Sequence, residues 1–388
     1  MAAPHPGLVG RPVYLDYNGT TPIDPAVVEA MAPYLSVEFG NPSSTHAYGV
    51  GASVALARAR EQVSSLVSGR GGRVVFTSSG SEADALAIRG AVLAAIDAAR
   101  TPVHVVTQVT EHPAVLAACR YLEQRHAVLV TYLGVDAHGR VDPDELGAAL
   151  TQDTVLVSIM HANNETGTLQ PVAEIAAITR DHGVLLHCDA AQSIGKVEVD
   201  VDALGVDLLT IVGHKMHAPK GIAALYVREG VALVPLVGGG GQESGLRAGT
   251  ENVPYIVGLG AAAKLAAEAL SRGESRRLVA LRDRMHVELE AGLPGRVHLN
   301  GHPGERLPNT LNVSIDGVPA LGLLASAVDL AASAGSACHA GHDEPSPVLT
   351  AMGLPAAVAL TAIRLSVGRW TTAEDAARAA AALITLAE

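Results

Sequence analysis

Through the middle of the chain, short β-branched runs alternate regularly with stretches of helix length, and this constrains the fold more than any other feature. RVVFT (73–77), VHVVTQ (103–108), AVLVTYL (127–133), TVLVSIM (154–160), VLLHC (184–188) and VDLLTIV (206–212) read as strands. Strand–helix alternation of this kind predicts a mostly parallel sheet covered on both faces. Asp142-Pro143-Asp144-Glu145 predicts a helix start, with an N-cap, a first-turn proline and a capping-box glutamate, and Asp24-Pro25 opens another in the same style. From about Asn252 the character changes. Two Ala/Leu/Arg-rich helical stretches run to Gly292, followed by VHLNG (297–301), TLNVSI (310–315), an apolar helix near 319–328, IRLSV (363–367) and a terminal helix after Thr371-Thr372. The expected architecture is α/β. A large domain (15–255) carries the sheet, and residues 1–14 plus 256–388 form a smaller α+β domain.

At 388 residues the chain exceeds the usual limit of one core. Its 48% apolar and 17% charged residues suit a large core and argue against disorder. With 27 basic against 39 acidic residues, nucleic acid is not expected as a main partner. Three cysteines, Cys119, Cys188 and Cys338, lie far apart and offer neither a disulfide framework nor a zinc ribbon. Neither a signal-peptide core nor an uninterrupted bilayer-spanning apolar stretch is read from the sequence, so the expectation is a cytoplasmic protein without a membrane partner.

Functional groups in open α/β sheets gather at the carboxyl ends of strands. Ser78-Ser79-Gly80-Ser81-Glu82 follows the first run and opens a helix, a setting that offers free N–H groups to a phosphate. By itself such a turn is more often an ordinary helix cap than a phosphate site. Glu111-His112, His161-Ala162-Asn163-Asn164-Glu165, Asp189-Ala190-Ala191-Gln192 and Gly213-His214-Lys215 follow four further runs. Any one of these is more often a loop than a catalyst; five on one edge are harder to dismiss. A lysine condenses with an aldehyde only when its amine is partly unprotonated, which burial and a nearby cation favour. An anionic aspartate beside a pyridine nitrogen keeps that nitrogen protonated. Lys215 and Asp189 are thus the pair that pyridoxal 5′-phosphate (PLP) chemistry requires. Cys338 lies among small residues in SAGSACHAGH (333–342), which suits an exposed nucleophile. The ordinary alternative is a small buried hydrophobe. The spacing of Cys338, His339 and His342 is weak for a metal site, and none is assigned.

These segments resemble the cysteine desulfurases of the class V aminotransferase group, which are fold-type I PLP enzymes. The similarity runs from about Val13 to the C-terminus. It is carried by VYLDYNGTTPIDP (13–25), FGNPSSTHAYG (39–49), TSSGSEADALAIRG (77–90), EHPAV (111–115), HANNETGTLQPV (161–172), HCDAAQSIGK (187–196), GHKMHAPKGIAALYVR (213–228), GGGGQESGLRAGTEN (238–252), SAGSACHAG (333–341) and IRLSVGR (363–369). The resemblance implies that Lys215 carries PLP covalently, that Asp189 pairs with the pyridine nitrogen, and that His112 stacks on the ring and assists proton transfer. Asn164 and Gln192 are implied near the cofactor's O3′ oxygen, and Gly80, Ser81 and His214 at its phosphate. Thr250 is implied to reach the phosphate of a neighbouring subunit in a homodimer. Arg364, with Asn164, is implied to hold the substrate carboxylate. Cys338 is implied to take sulfur from L-cysteine as a persulfide, leaving L-alanine, and to pass the sulfur to an acceptor protein, with iron–sulfur cluster assembly among the candidate destinations.

The chain departs from the family pattern in several places. Val212 stands where many members have a phosphate-binding serine, Gly19 replaces a common alanine, Ala85 a common asparagine and His217 a common tyrosine. TIVGHK (210–215) and Cys338-His339 before PSPVL (345–349) also resemble selenocysteine lyases, which makes L-selenocysteine an alternative substrate. Three further readings are an aminotransferase or epimerase on the same fold, a Cys/His hydrolase built on Cys338, and a non-enzymatic sulfur-carrier scaffold. The hydrolase reading leaves Lys215 and Asp189 without a role.

Overall fold

The computed structural model describes residues 3–335 and 344–388; Cys338, His339 and His342 lie outside the described residues. Seven strands form the main sheet in the spatial order Gly72–Thr77, Ala223–Arg228, Leu208–Val212, Leu185–Asp189, Thr154–Ser158, His104–Gln108, Leu129–Leu133. Six run the same way, and Ala223–Arg228 is antiparallel to both its neighbours. Only residues 213–222 join it to Leu208–Val212, fewer than a parallel crossover requires. The carboxyl ends of the six co-directional strands therefore share one edge.

The helix starts expected from proline-containing caps are present. Asp24 caps Pro25–Met31 and Asp142 caps Pro143–Ala149, the latter through the N–H of Asp144 rather than that of Glu145. On one face of the sheet the apolar core includes Val106, Val157, Leu186, Cys188 and Ile211. On the other it includes Val105, Leu156 and Leu208, packed under the helices Gly80–Asp97 and Pro113–His126.

A separate apolar cluster unites Val13 and Leu15 with Leu278, Met285, Leu311, Ile363 and Leu383. Its antiparallel sheet has the order Ala362–Ser366, Thr310–Ile315, Val297–Leu299, and Val13–Tyr14 pairs in parallel with Leu330–Ala331. The helix Val253–Ser271 is long and apolar enough to cross a bilayer by composition, a stretch not anticipated from sequence. Its Ile256, Leu259, Ala262 and Ala263 are buried in the main core, although residues 256–271 were assigned from sequence to the smaller unit. Glycine brings this helix close to its neighbour, for a Cβ at Gly260 would meet Ala59 within 2.6 Å.

Candidate functional site

Lys215 ends a single 3₁₀ turn, Gly213–Lys215, that directly follows the strand Leu208–Val212. Its Nζ donates to the backbone oxygens of Asn18 at 2.6 Å and Gly19 at 2.8 Å. One strand over, Asp189 is buried at the tip of Leu185–Asp189, where its Oδ1 accepts the N–H of Ala191 at 2.9 Å. Burial raises its carboxyl above the usual range, while His112, the Ala191 N–H and Lys215 act in the opposite direction. His112 caps the helix Pro113–His126, its Nδ1 accepting the N–H of Ala114 at 3.2 Å. That bond makes Nδ1 the acceptor, so the proton of the neutral ring sits on Nε2. Burial lowers its pKa, Asp189 opposes the shift and Lys215 adds to it. Lys215, Asp189 and His112 therefore lie within one another's electrostatic reach.

The helix Gly80–Asp97 begins beside this group. Ser79 caps it by accepting the N–H of Glu82, and the N–H groups of Gly80 and Ser81 occupy first-turn positions that have no intrahelical acceptor. A Cβ at Gly80 would come within 2.6 Å of Val212 Cγ2, so a glycine is needed there for the valine to fit. His214 Nδ1 lies 3.1 Å from Thr20 Oγ1. Burial first, then Lys215 and other nearby cations, push its pKa down to about 4, so it offers a hydrogen bond and not a charge at neutral pH. Ser81 and Thr250 are exposed.

Gln192 and Asn164 are tied into the protein. Gln192 Nε2 donates to the Asn18 backbone oxygen at 3.1 Å, and its Oε1 accepts from Lys196 at 2.9 Å. The Asn164 backbone oxygen accepts from Arg364 at 3.0 Å and from Asn18 Nδ2 at 3.3 Å. Arg364 also donates to Asp16 Oδ1 at 2.7 Å, and its buried Nε has no partner among the described residues. Gly19 makes room for this pair, because a Cβ there would fall 2.5 Å from Asp16 Oδ2. His217 adopts φ +68° and is held by Thr21 Oγ1 and the Pro22 oxygen, between the rings of Tyr17 and Trp370. Cys119 and Cys188 are free and buried.

Strand periodicity did not reveal two groups of residues. The first is Asn18, which touches Lys215, Gln192, Lys196, Asn309 and Thr310; its only sequence signal was its place in VYLDYNGTT. The second is a polar layer beneath the site. Ser158 Oγ lies 2.8 Å from His187 Nδ1, His187 Nε2 lies 3.1 Å from Thr210 Oγ1, and Thr210 contacts the buried Asp84. Glu111 is also buried, its Oε1 accepting from Met160 N and Gln108 Nε2. Desolvation pushes its pKa up to about 8. Such groups cost stability in an apolar layer, which marks this edge as a place where chemistry outweighs packing.

The donor set suits a phosphorylated aldehyde with a basic ring nitrogen: an amine, a buried carboxylate, a neutral imidazole, and a helix start closed by glycine. The comparisons with known proteins agree with that chemistry. The profile of the aminotransferase class-V family matches residues 13–378. A cysteine desulfurase of Trichormus azollae is 48% identical over 365 residues, covering 93% of this chain and 89% of that protein. Among solved structures, a NifS-like protein superposes with a TM-score of 0.88 at 35% identity, covering 96% of this chain and 98% of that one. SspA in complex with cysteine superposes at 0.80, also with 35% identity, covering 92% and 99%. With a profile that spans residues 13–378 and a relative 48% identical over 93% of the sequence, this chain belongs to the class-V aminotransferase family.

Proposed function

We propose that this chain is a PLP-dependent cysteine desulfurase that converts L-cysteine to L-alanine and retains the sulfur on Cys338. The observation that carries the reading is the meeting of Lys215, Asp189 and His112 on the carboxyl edge of the sheet, the first two at neighbouring strands and His112 two strands further along, within one another's electrostatic reach. The desulfurase named among its relatives, and the cysteine complex of a structural neighbour, support the substrate. When bound, PLP supplies an aldehyde that condenses with amines and a ring that draws electrons from the substrate α-carbon.

The protein's own groups do the rest. Lys215 anchors the cofactor, and Asp189 holds a proton on the ring nitrogen. His112 would face the cofactor and present to it the proton on Nε2, since Nδ1 is occupied by the Ala114 N–H. Gly80 and Ser81 offer backbone N–H groups to the phosphate, and neutral His214 adds a hydrogen bond. Gln192 and Asn164 would supply hydrogen bonds to the cofactor's ring oxygen. Arg364 takes the substrate carboxylate, for which Asp16 must give way on the guanidinium fork. The Cys338 thiolate attacks the substrate sulfur, and the carbon–sulfur bond breaks with its electron pair left on carbon. Sulfur stays on Cys338 as a persulfide, and alanine departs once that carbon is protonated. A sulfur-acceptor protein then removes the persulfide sulfur. Thr250, exposed on its own subunit, serves the phosphate site of a second copy in a homodimer.

The test is incubation of the purified protein with L-cysteine and, in parallel, L-selenocysteine, measuring alanine and released chalcogenide. Alanine from cysteine, lost in Cys338→Ala and in Lys215→Ala, is the expected result. Alanine from selenocysteine alone would make the enzyme a selenocysteine lyase. A Lys215→Ala variant that kept covalent cofactor and full turnover would defeat the assignment.

A further inference from the structure

A cavity of about 1170 Å³ lies between the N-terminal segment, the junction of the helices Val253–Ser271 and Glu274–Gly292, and the start of the terminal helix Ala373–Ala387. Its size suits a bound small molecule. Lys215, Asp189, His112 and Arg364 are not among the described residues that line it, so the reaction above gives it no task. Its walls are held by well-partnered groups. His5 fixes the N-terminal segment: its Nδ1 accepts the Gly7 N–H at 3.0 Å, so Nε2 carries the proton given to the Ile23 oxygen at 2.9 Å. Its ring also packs on Trp370, with centroids 4.7 Å apart. On the opposite wall Arg277 donates to both oxygens of Glu274, at 2.6 and 2.9 Å, and to the backbone oxygens of Gly368, Arg369 and Thr371. Those bonds fix the loop that leads into the terminal helix.

Once matched charges are set aside, the lining is cationic. Glu274 is taken by Arg277, Arg369 by Asp24, and Asp375 by the N–H and hydroxyl of Thr372. Arg11 and Arg378 form no ion pair with a described residue, and Arg272 reaches only the exposed Glu268, at 3.6 Å. Among the described residues of the lining, Asp329 is the one carboxylate without a side-chain partner. Three guanidinium groups thus share the cavity with one free carboxylate. The whole chain has a formal net charge of -12, so this excess of positive charge is local and does not follow from composition.

We propose that this cavity is a second binding site, for a small anion with two or more negative charges, held by Arg11, Arg272 and Arg378. A guanidinium fork receives carboxylate and phosphate oxygens in pairs. Here the three forks come from three separate elements: the N-terminal segment, the C-terminal end of the helix Val253–Ser271, and the second turn of the terminal helix. One anionic group satisfies one fork, so the arrangement calls for a ligand that carries several, as a polycarboxylate or a compound with linked phosphates does. The site adjoins the reaction. Tyr17, Ala269, Glu274 and Arg369 line both this cavity and the small one that contains Lys215.

The experiment is calorimetric titration of the full chain at low ionic strength, with citrate and, separately, with pyrophosphate. The chain is first saturated with PLP, which fills the phosphate site at Gly80 and Ser81. Saturable binding of at least one probe is expected, weakened roughly tenfold in each of Arg11→Gln and Arg378→Gln. Arg125→Gln, a change to an exposed arginine on the helix Pro113–His126, leaves it unchanged. Binding of citrate alone supports the site as one for polycarboxylates, and binding of pyrophosphate alone as one for linked phosphates. Wild-type chain that binds neither probe saturably overturns the proposal. Equal affinity in wild type, Arg11→Gln and Arg378→Gln overturns it too, because the probe then sits elsewhere. An equal loss in Arg125→Gln also does so, since it reduces the effect to general charge attraction. The titration reads binding and not turnover. A chain that binds a probe here but releases no alanine from either substrate therefore overturns the proposed function alone, and the reverse result overturns this proposal alone.

Discussion

At the scale of single residues, the site is governed by groups whose charge is set by burial. Glu111 has its pKa raised from 4.5 to about 8. Between those values the folded chain holds a proton that the unfolded chain has lost, so this group's contribution to stability declines as pH rises through the window. Replacing it removes that decline. Glu111→Gln, whose side-chain oxygen can still accept from Met160 and Gln108, is therefore expected to gain stability relative to wild type from pH 5 to pH 8. The gain is on the order of 1 kcal/mol per pH unit, measured as the difference in denaturation midpoints. A constant difference across that range would mean that Glu111 ionises like an exposed carboxylate. Gly19 and Gly80 act at the same scale by leaving room, the first for Asp16 and the second for Val212. The departure of Gly19 from the common alanine thus has a local steric reason. The structure offers no account of Ala85.

At the scale of elements, the loop Gln242–Gly245 shows how a strained segment is kept in place. Glu243 and Ser244 adopt φ +48° and +58°, which non-glycine residues seldom do. The Glu243 carboxylate accepts both Arg60 nitrogens, at 2.7 and 2.8 Å, and the N–H of Phe76 at 2.9 Å, binding the loop to the edge strand Gly72–Thr77. Glu243→Ala is expected to lower stability by about 2 kcal/mol, since it removes the carboxylate from the Arg60 guanidinium, which keeps only the Val74 oxygen and the Phe76 ring, and takes the acceptor from a buried N–H. Urea titration of that variant checks the figure, and an unchanged midpoint would show the loop to be held by other contacts. Six strands of the main sheet were legible as β-branched apolar runs, the inner ones because both their faces are buried and the edge strand Leu129–Leu133 through its β-branched content although it is mostly half-buried. The seventh, Ala223–Arg228, was missed as a strand: AALYVR looks the same in either direction, and it follows a connection without a helix. Lys215, Asp189 and His112 were legible because they follow strands directly. Asn18 and Lys196 were not, since their importance lies in contacts between residues 178 positions apart. His187 and Thr210 stand where alternation predicts only burial, and a buried polar residue looks the same in sequence whether or not it belongs to a network.

At the scale of the whole molecule, the segment 35–54 leaves Leu35, Val37, Phe39, Tyr48, Val50 and Val54 exposed, and the rings of Phe39 and Tyr48 stack at 5.4 Å. A patch of this kind suits an interface with another protein surface, and in the proposed homodimer it is the natural place for the second copy. The double change Phe39→Asp, Tyr48→Asp is expected to yield monomers in sedimentation and, through loss of the second copy's Thr250, to weaken cofactor retention. A variant that remains dimeric would place the interface elsewhere.

The bridging by Asn18 has a consequence for biosynthesis. Its neighbour Asp16 is gripped by Arg364, and its own N–H by Ser366, 348 positions downstream. A ribosome makes one end of that bridge 348 residues before the other. The floor beneath Lys215 is therefore incomplete until residue 366 has been made, so uptake of colour by a nascent chain would report that the strand Ala362–Ser366 has docked.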